Sequence, residues 1–136
     1  MQRLQNRPQF QAVLAGPIIA RTAHFALHRN GLDAKAPSKS PNDVTPTAML
    51  FGFEDVWIGA MAPKRWAKRA VTRNTIKRQI YSVSADFSGQ LTIAAFVVRL
   101  RRAFDKKTFP SATSKPLRQA VRAEIQALMT AATRLS

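Results

Sequence analysis

The chain has 136 residues, 46% of them hydrophobic, and carries 22 Lys and Arg against 7 Asp and Glu, a formal net charge of +15. The length and apolar fraction suit one folded domain with a modest core, and the absence of cysteine excludes disulfides and thiolate metal sites. Self-repulsion among so many cations is relieved by a polyanion, which points to nucleic acid first and an anionic membrane surface second.

The opening MQRLQNRPQF lacks the apolar run of a signal peptide. Residues Pro8–Leu14 place Phe10, Val13 and Leu14 at spacings of three and four, which predicts a short amphipathic helix ended by Gly16-Pro17. Ile18–Arg29 is β-prone, with Phe25 and Leu27 on one face and His24, Ala26 and His28 on the other, and reads as one strand. Asn30–Pro46, rich in proline, serine and charge, reads as a flexible loop. Thr47–Phe53 and Val56–Ala62 read as two strands, paired as a hairpin through Glu54-Asp55. Gly89 opens a buried strand over Leu91–Leu100, and Arg101–Pro116 is a basic loop. From Lys115, apolar residues at Leu117, Val121, Ile125, Leu128, Ala132 and Leu135 predict the clearest amphipathic helix. The apolar stretches Leu14–Ala20 and Leu91–Val98 are far too short to span a bilayer, so a cytoplasmic protein without membrane contact is expected. The resulting order, α-β-β-β-α-β-α, predicts a two-layer α+β sandwich with a four-stranded sheet, as a single domain over residues 1–136.

The segment Lys64–Arg78, KRWAKRAVTRNTIKR, is the most informative. It holds Lys64, Arg65, Lys68, Arg69, Arg73, Lys77 and Arg78 and no acid. With Ala70–Val83 as a helix, Thr72, Ile76, Ile80 and Val83 fall on one side, and Arg73, Asn74, Lys77, Arg78 and Tyr81 on the opposite arc. Like charges at i, i+4 cost a few tenths of a kcal/mol each, a cost that favours a binding role. Arginine's planar fork takes two phosphate oxygens or stacks on a base, and Asn74 adds a neutral donor and acceptor. Solvated faces usually mix signs; this one does not, so contact with phosphates is expected. Trp66 has two readings, stacking on RNA or capping the sheet edge.

RNTIKR, Arg73–Arg78, resembles the RNR signature, RNRxKR, of the bacterial ribonuclease P protein component. PKRWAKRAVTRN, the opening RLQNRPQFQAVL, HFALH, IGAMAPKR with Gly59, and the VVRLR strand with the final helix are similar to the same family, so the resemblance covers nearly the whole chain. The resemblance implies the small subunit of a ribonucleoprotein that removes the 5′ leader of precursor tRNA. It implies a ribosomal protein S5 domain 2-like fold with a left-handed β-α-β crossover around the RNR helix, where the general rule gives right-handed crossovers. It implies that catalysis, and the Mg²⁺ ions, belong to the RNA subunit and substrate, with no catalytic or metal-binding residue on the protein.

By position, the resemblance assigns Lys64, Arg65, Lys68, Arg69, Arg73, Asn74, Lys77 and Arg78 to the catalytic RNA subunit. It assigns Phe10, Leu14 and His28 to a cleft for the leader of precursor tRNA, and no small-molecule substrate is implied. Leu14 and His28 stand where many members carry an aromatic residue. Thr75 replaces the usual second arginine of the signature, and Tyr81 stands where another arginine is common. From its own periodicity, Phe10 is either a platform for a base or a helix residue packed on the sheet.

Two other classes compete. Size and composition fit a structural ribosomal protein equally well; the combination of RNTIKR, the Phe10 helix and the basic approach distinguishes the first reading. An autonomous nuclease needs paired carboxylates or histidines for acid–base work. The acids Asp33, Asp43, Glu54, Asp55, Asp86, Asp105 and Glu124 are scattered, and His24 and His28, placed on one strand face, have no third ligand in view.

Overall fold

The computed structural model describes residues 1–32, 51, 54–104 and 115–134. Among them are five strands and three helices: β1 (Gln2–Arg3), α1 (Arg7–Leu14), β2 (Ile18–Arg21), β3 (Phe25–Asn30), β4 (Trp57–Met61), α2 (Ala70–Asp86), β5 (Ala95–Leu100) and α3 (Lys115–Arg134). They form one mixed sheet in the order β1-β4-β5-β3-β2. β4 runs parallel to both β1 and β5, whereas β3 runs antiparallel to β5 and β2. The α+β class therefore stands, with five strands where four were expected.

The extra strands have identifiable causes. The expected single strand Ile18–Arg29 is a hairpin, turning at residues 22–24. No glycine or proline announces this turn. It is held by Thr22, whose hydroxyl accepts from the Phe25 amide at 3.3 Å, and by Glu124 of α3, whose carboxylate accepts from the His24 amide at 2.9 Å and meets His24 Nδ1 at 2.7 Å. β1 is only two residues long, below any periodicity signal. Its backbone is fixed by Gln2 N–H to Val56 O (2.8 Å) and Leu4 N–H to Ile58 O (2.9 Å). β5 starts at Ala95, not Leu91: residues 91–94 make a bend that leaves Ile93 exposed before Ala94 O accepts from Trp57 N–H. The expected strand Thr47–Phe53 lies outside the described residues except Phe51, which is buried, and so do most of the Asn30–Pro46 loop, residues 105–114 of the Arg101–Pro116 loop, and Leu135; Lys115 and Pro116 instead open α3.

Strand alternation divides the core into two. Phe25, Leu27, Ile58, Ala60, Phe96, Val98 and Leu100 pack against Ile76, Ile80 and Val83 of α2 and Leu117, Val121, Ile125 and Leu128 of α3. On the other face, Trp57, Ala95 and Val97 meet Leu4, Phe51 and Val13, the last from α1. α1 starts in a capping box: Asn6 Oδ1 accepts from Gln9 N–H, and Gln9 Oε1 accepts from Asn6 N–H. Its far end is tied to β3 by Asn30 Nδ2–H donating to Ala12 O at 2.9 Å. No described helix is long and apolar enough to cross a membrane.

Candidate RNA-binding surface

The connection from β4 to α2 begins as Pro63 O accepts from the amides of Trp66 and Ala67. Ala67 is buried in the main core, Trp66 packs against it, and Arg65 lies 5.2 Å above the Trp66 ring. Of the two readings of Trp66, partial burial favours a packing role. Lys64, Arg65, Lys68 and Arg69 are all left exposed.

Arg73 does not share the solvent arc with the other cations of α2. Its guanidinium turns back, with Nη1 donating to Ala67 O (3.0 Å) and Lys68 O (2.8 Å), and so fixes the connection that carries the preceding four cations. At 100° per residue Arg73 stands at the edge of the buried stripe, close to Ile80. That stripe is also wider than expected. Thr75 and Ser84 are buried with Ile76, Ile80 and Val83, because α2 packs on both β4 and α3, while Thr72 in the first turn stays half-buried. Thr75 is 8% exposed and donates its hydroxyl to Val71 O at 2.9 Å, so no charge and little surface reaches solvent there.

Asn74 and Arg78 are exposed and Lys77 is half-exposed. Tyr81 is half-buried: its hydroxyl accepts from the Ala60 amide at 3.2 Å, just past the point where β1 stops covering that edge of β4. Arg3 of β1 lies over the Tyr81 ring, 4.1 Å from the centroid. Arg3, Asn74, Lys77, Arg78, Tyr81 and Ser82 line an open groove of about 520 Å³. Its cations have no acid among them.

The other face of the sheet carries the remaining candidates. A Cβ on Gly59 would stand 2.6 Å from Phe10 Cε1 and 2.8 Å from Leu4 Cδ1, so glycine is what lets the Phe10 ring settle on β4. Phe10 and Leu14 are half-buried, each with an open side. His28 is 6% exposed, and its Nε2 accepts from Arg99 Nε–H at 3.2 Å. The ring is thus unavailable as a base platform; it holds a cation instead. Burial, then the Arg99 charge and more weakly that of Arg21, lower its pKa from the ordinary 6.5, and its Nδ1 is buried without a hydrogen-bond partner among the described residues. His24 and His28 do not share a face: His24 stacks on Phe104 (3.9 Å between centroids) and pairs with Glu124.

Sequence reasoning missed Arg3 and Arg99. A signal existed for Arg99, since Ala95, Val97 and Arg99 alternate with the apolar Phe96, Val98 and Leu100. None existed for Arg3, whose placement depends on a two-residue strand.

The ribonuclease P family model matches residues 1–129. The chain belongs to the ribonuclease P protein family. It is 32% identical over 136 residues to the ribonuclease P protein component of Paraburkholderia xenovorans (strain LB400), covering 97% of this chain and 81% of that one. It is 34% identical over 128 residues to the component of Bordetella parapertussis, covering 94% and 89%. The solved structure of the Staphylococcus aureus RNase P protein superposes with a TM-score of 0.63 at 15% identity, covering 96% of this chain and 94% of that one. The function is that of the protein subunit of ribonuclease P in tRNA 5′ processing, part of an endoribonuclease. Family membership implies association with ribonuclease P RNA and a tRNA substrate.

Proposed function

We propose that the exposed side of α2 and the connection before it bind the catalytic RNA subunit through Lys64, Arg65, Lys68, Arg69, Asn74, Lys77 and Arg78. We further propose that the cleft beside α1 binds the single-stranded 5′ leader of precursor tRNA. The observation that carries this reading is the run of exposed and half-exposed cations from Lys64 to Arg78 with no acid among them, on a scaffold fixed by Arg73. Such a surface trades condensed counterions for phosphates, the main source of affinity for nucleic acid.

In the cleft, Phe10 offers one side of its ring to a leader base while the other side rests on Gly59, and Leu14 extends the apolar wall. Arg99, held by His28, supplies a cation to the same face. We assign the Mg²⁺ ions to the RNA subunit and the substrate, where they neutralise phosphate charge and activate water. The sparse carboxylates support this: among the described residues no three His, Asp or Glu side chains come together. The protein's part is to position both RNAs and lower the repulsion between them, work suited to a cytoplasmic ribonucleoprotein.

The test is cleavage of precursor tRNA by the cognate RNA subunit at low Mg²⁺, with and without the purified protein. The protein is expected to restore leader removal and to show none alone. No gain in cleavage would sink the reading, and stable binding to ribosomal subunits instead would favour a structural ribosomal role.

A further inference from the structure

Resting on the α2 reading, we propose that Arg3 of β1 is a phosphate-contacting residue, so that the N-terminal strand and α2 together form one groove for the backbone of the RNA subunit. Arg3 is exposed, and its register opposite Ile58 turns its side chain toward α2 while Leu4 turns to the other face. Its guanidinium lies 4.1 Å over the Tyr81 ring, and the ring is itself pinned by the Ala60 amide. A guanidinium held over a ring by its charge keeps N–H donors at its edges for an anion. Among the described residues no hydrogen bond or ion pair takes up those donors.

The surroundings carry the same message. The groove that Arg3 completes is lined by Lys77 and Arg78, with Asn74 and Ser82 as neutral donors and no carboxylate. A third cation beside two others costs stability unless a polyanion is present. The groove's open side suits a stretch of phosphodiester backbone, whose adjacent phosphates Arg3 and the α2 cations take from two sides.

Affinity of the full chain for the ribonuclease P RNA is measured against salt concentration for wild type, Arg3→Ala, Arg3→Lys and Lys77→Ala. Arg3→Ala should lower the log–log salt slope by about 0.7–0.9, one phosphate contact. Arg3→Lys should keep the slope, since its charge remains. A wild-type slope for Arg3→Ala, with Lys77→Ala lowered, overturns the Arg3 assignment alone. Unchanged slopes for both overturn the α2 reading beneath it. A second measurement is independent of any change in folding stability. The chain has no cysteine, so Arg3→Cys and Ser82→Cys each offer a single attachment point for a cleavage reagent. Both should cut overlapping segments of the RNA subunit; cuts from position 3 in a separate segment, or none, overturn the proposal.

Discussion

The ring of Phe10 occupies the space where any side chain on residue 59 would begin. A helix and a strand nearly fifty positions apart in sequence are thereby fitted to each other by the absence of one methyl group. Gly59→Ala should push the ring off β4, costing about 1–3 kcal/mol as overpacking does. The leader site should suffer with it. Thermal unfolding and leader-dependent substrate binding check both; an alanine variant of wild-type stability would mean that the ring shifts freely.

Phe10→Ala removes the platform without blocking the strand. Affinity for precursor tRNA should fall by about 1–3 kcal/mol, the range for one stacked base, with binding of mature tRNA unchanged. Equal losses for both would place Phe10 outside the leader site.

Arg73 and Lys77 belong to one signature but act differently here. Lys77→Ala should lower the salt slope for RNA-subunit binding by roughly one phosphate contact. Arg73→Ala frees the carbonyls of Ala67 and Lys68 and so loosens the four cations ahead of it. It should weaken affinity more than Lys77→Ala and expose the connection to protease. A protease pattern like wild type would remove the positioning role.

His28 makes stability depend on pH with a definite sign. Its folded pKa lies below the unfolded value of about 6.5, so in the window beneath that value the unfolded chain binds more protons and stability rises with pH. The contribution is whole above about pH 6.5 and is lost as pH falls through the folded value. Protonation also removes the acceptor for Arg99. His28→Asn, which keeps an acceptor and does not titrate, should flatten the fall in Tm on acidification; a slope identical to wild type would assign the pH dependence elsewhere.

Glu124→Ala should cut the two bonds that hold the β2–β3 turn to α3. The expected loss is about 1–3 kcal/mol with RNA-subunit affinity unchanged, measured by denaturant unfolding and filter binding.

The sequence made legible whatever depends on near neighbours. The periods of α1, α2 and α3 appear in it almost to the residue, as does β4, because each buries a stripe that recurs along the chain. The basic surface was legible for the same reason: its cations recur within the one segment Lys64–Arg78. What escaped depends on partners far away. The turn at residues 22–24 is imposed by Glu124, a hundred positions on. β1 exists only because the edge of β4 is there to receive it. Burial of His28 follows from α1 and β5 covering one stretch of β3, and Arg73 leaves the solvent arc because two carbonyls behind it lack donors.

The order of strands across the sheet differs sharply from their order along the chain. β5, the last strand in sequence, lies in the middle, between β4 and β3. During synthesis the β2–β3 hairpin emerges with no neighbour on its inner edge, and an isolated hairpin is marginal in water. β4 emerges next and also waits. Only when Leu100 leaves the ribosome can the two halves be joined, and until then α2 lacks the completed sheet that spaces the cations of Lys64 to Arg78. The protein must therefore pass its most nucleic-acid-seeking stretch through an RNA-rich exit before it has the fold that gives that stretch a preferred RNA. Folding rate after residue 100, more than final stability, governs how long that exposure lasts.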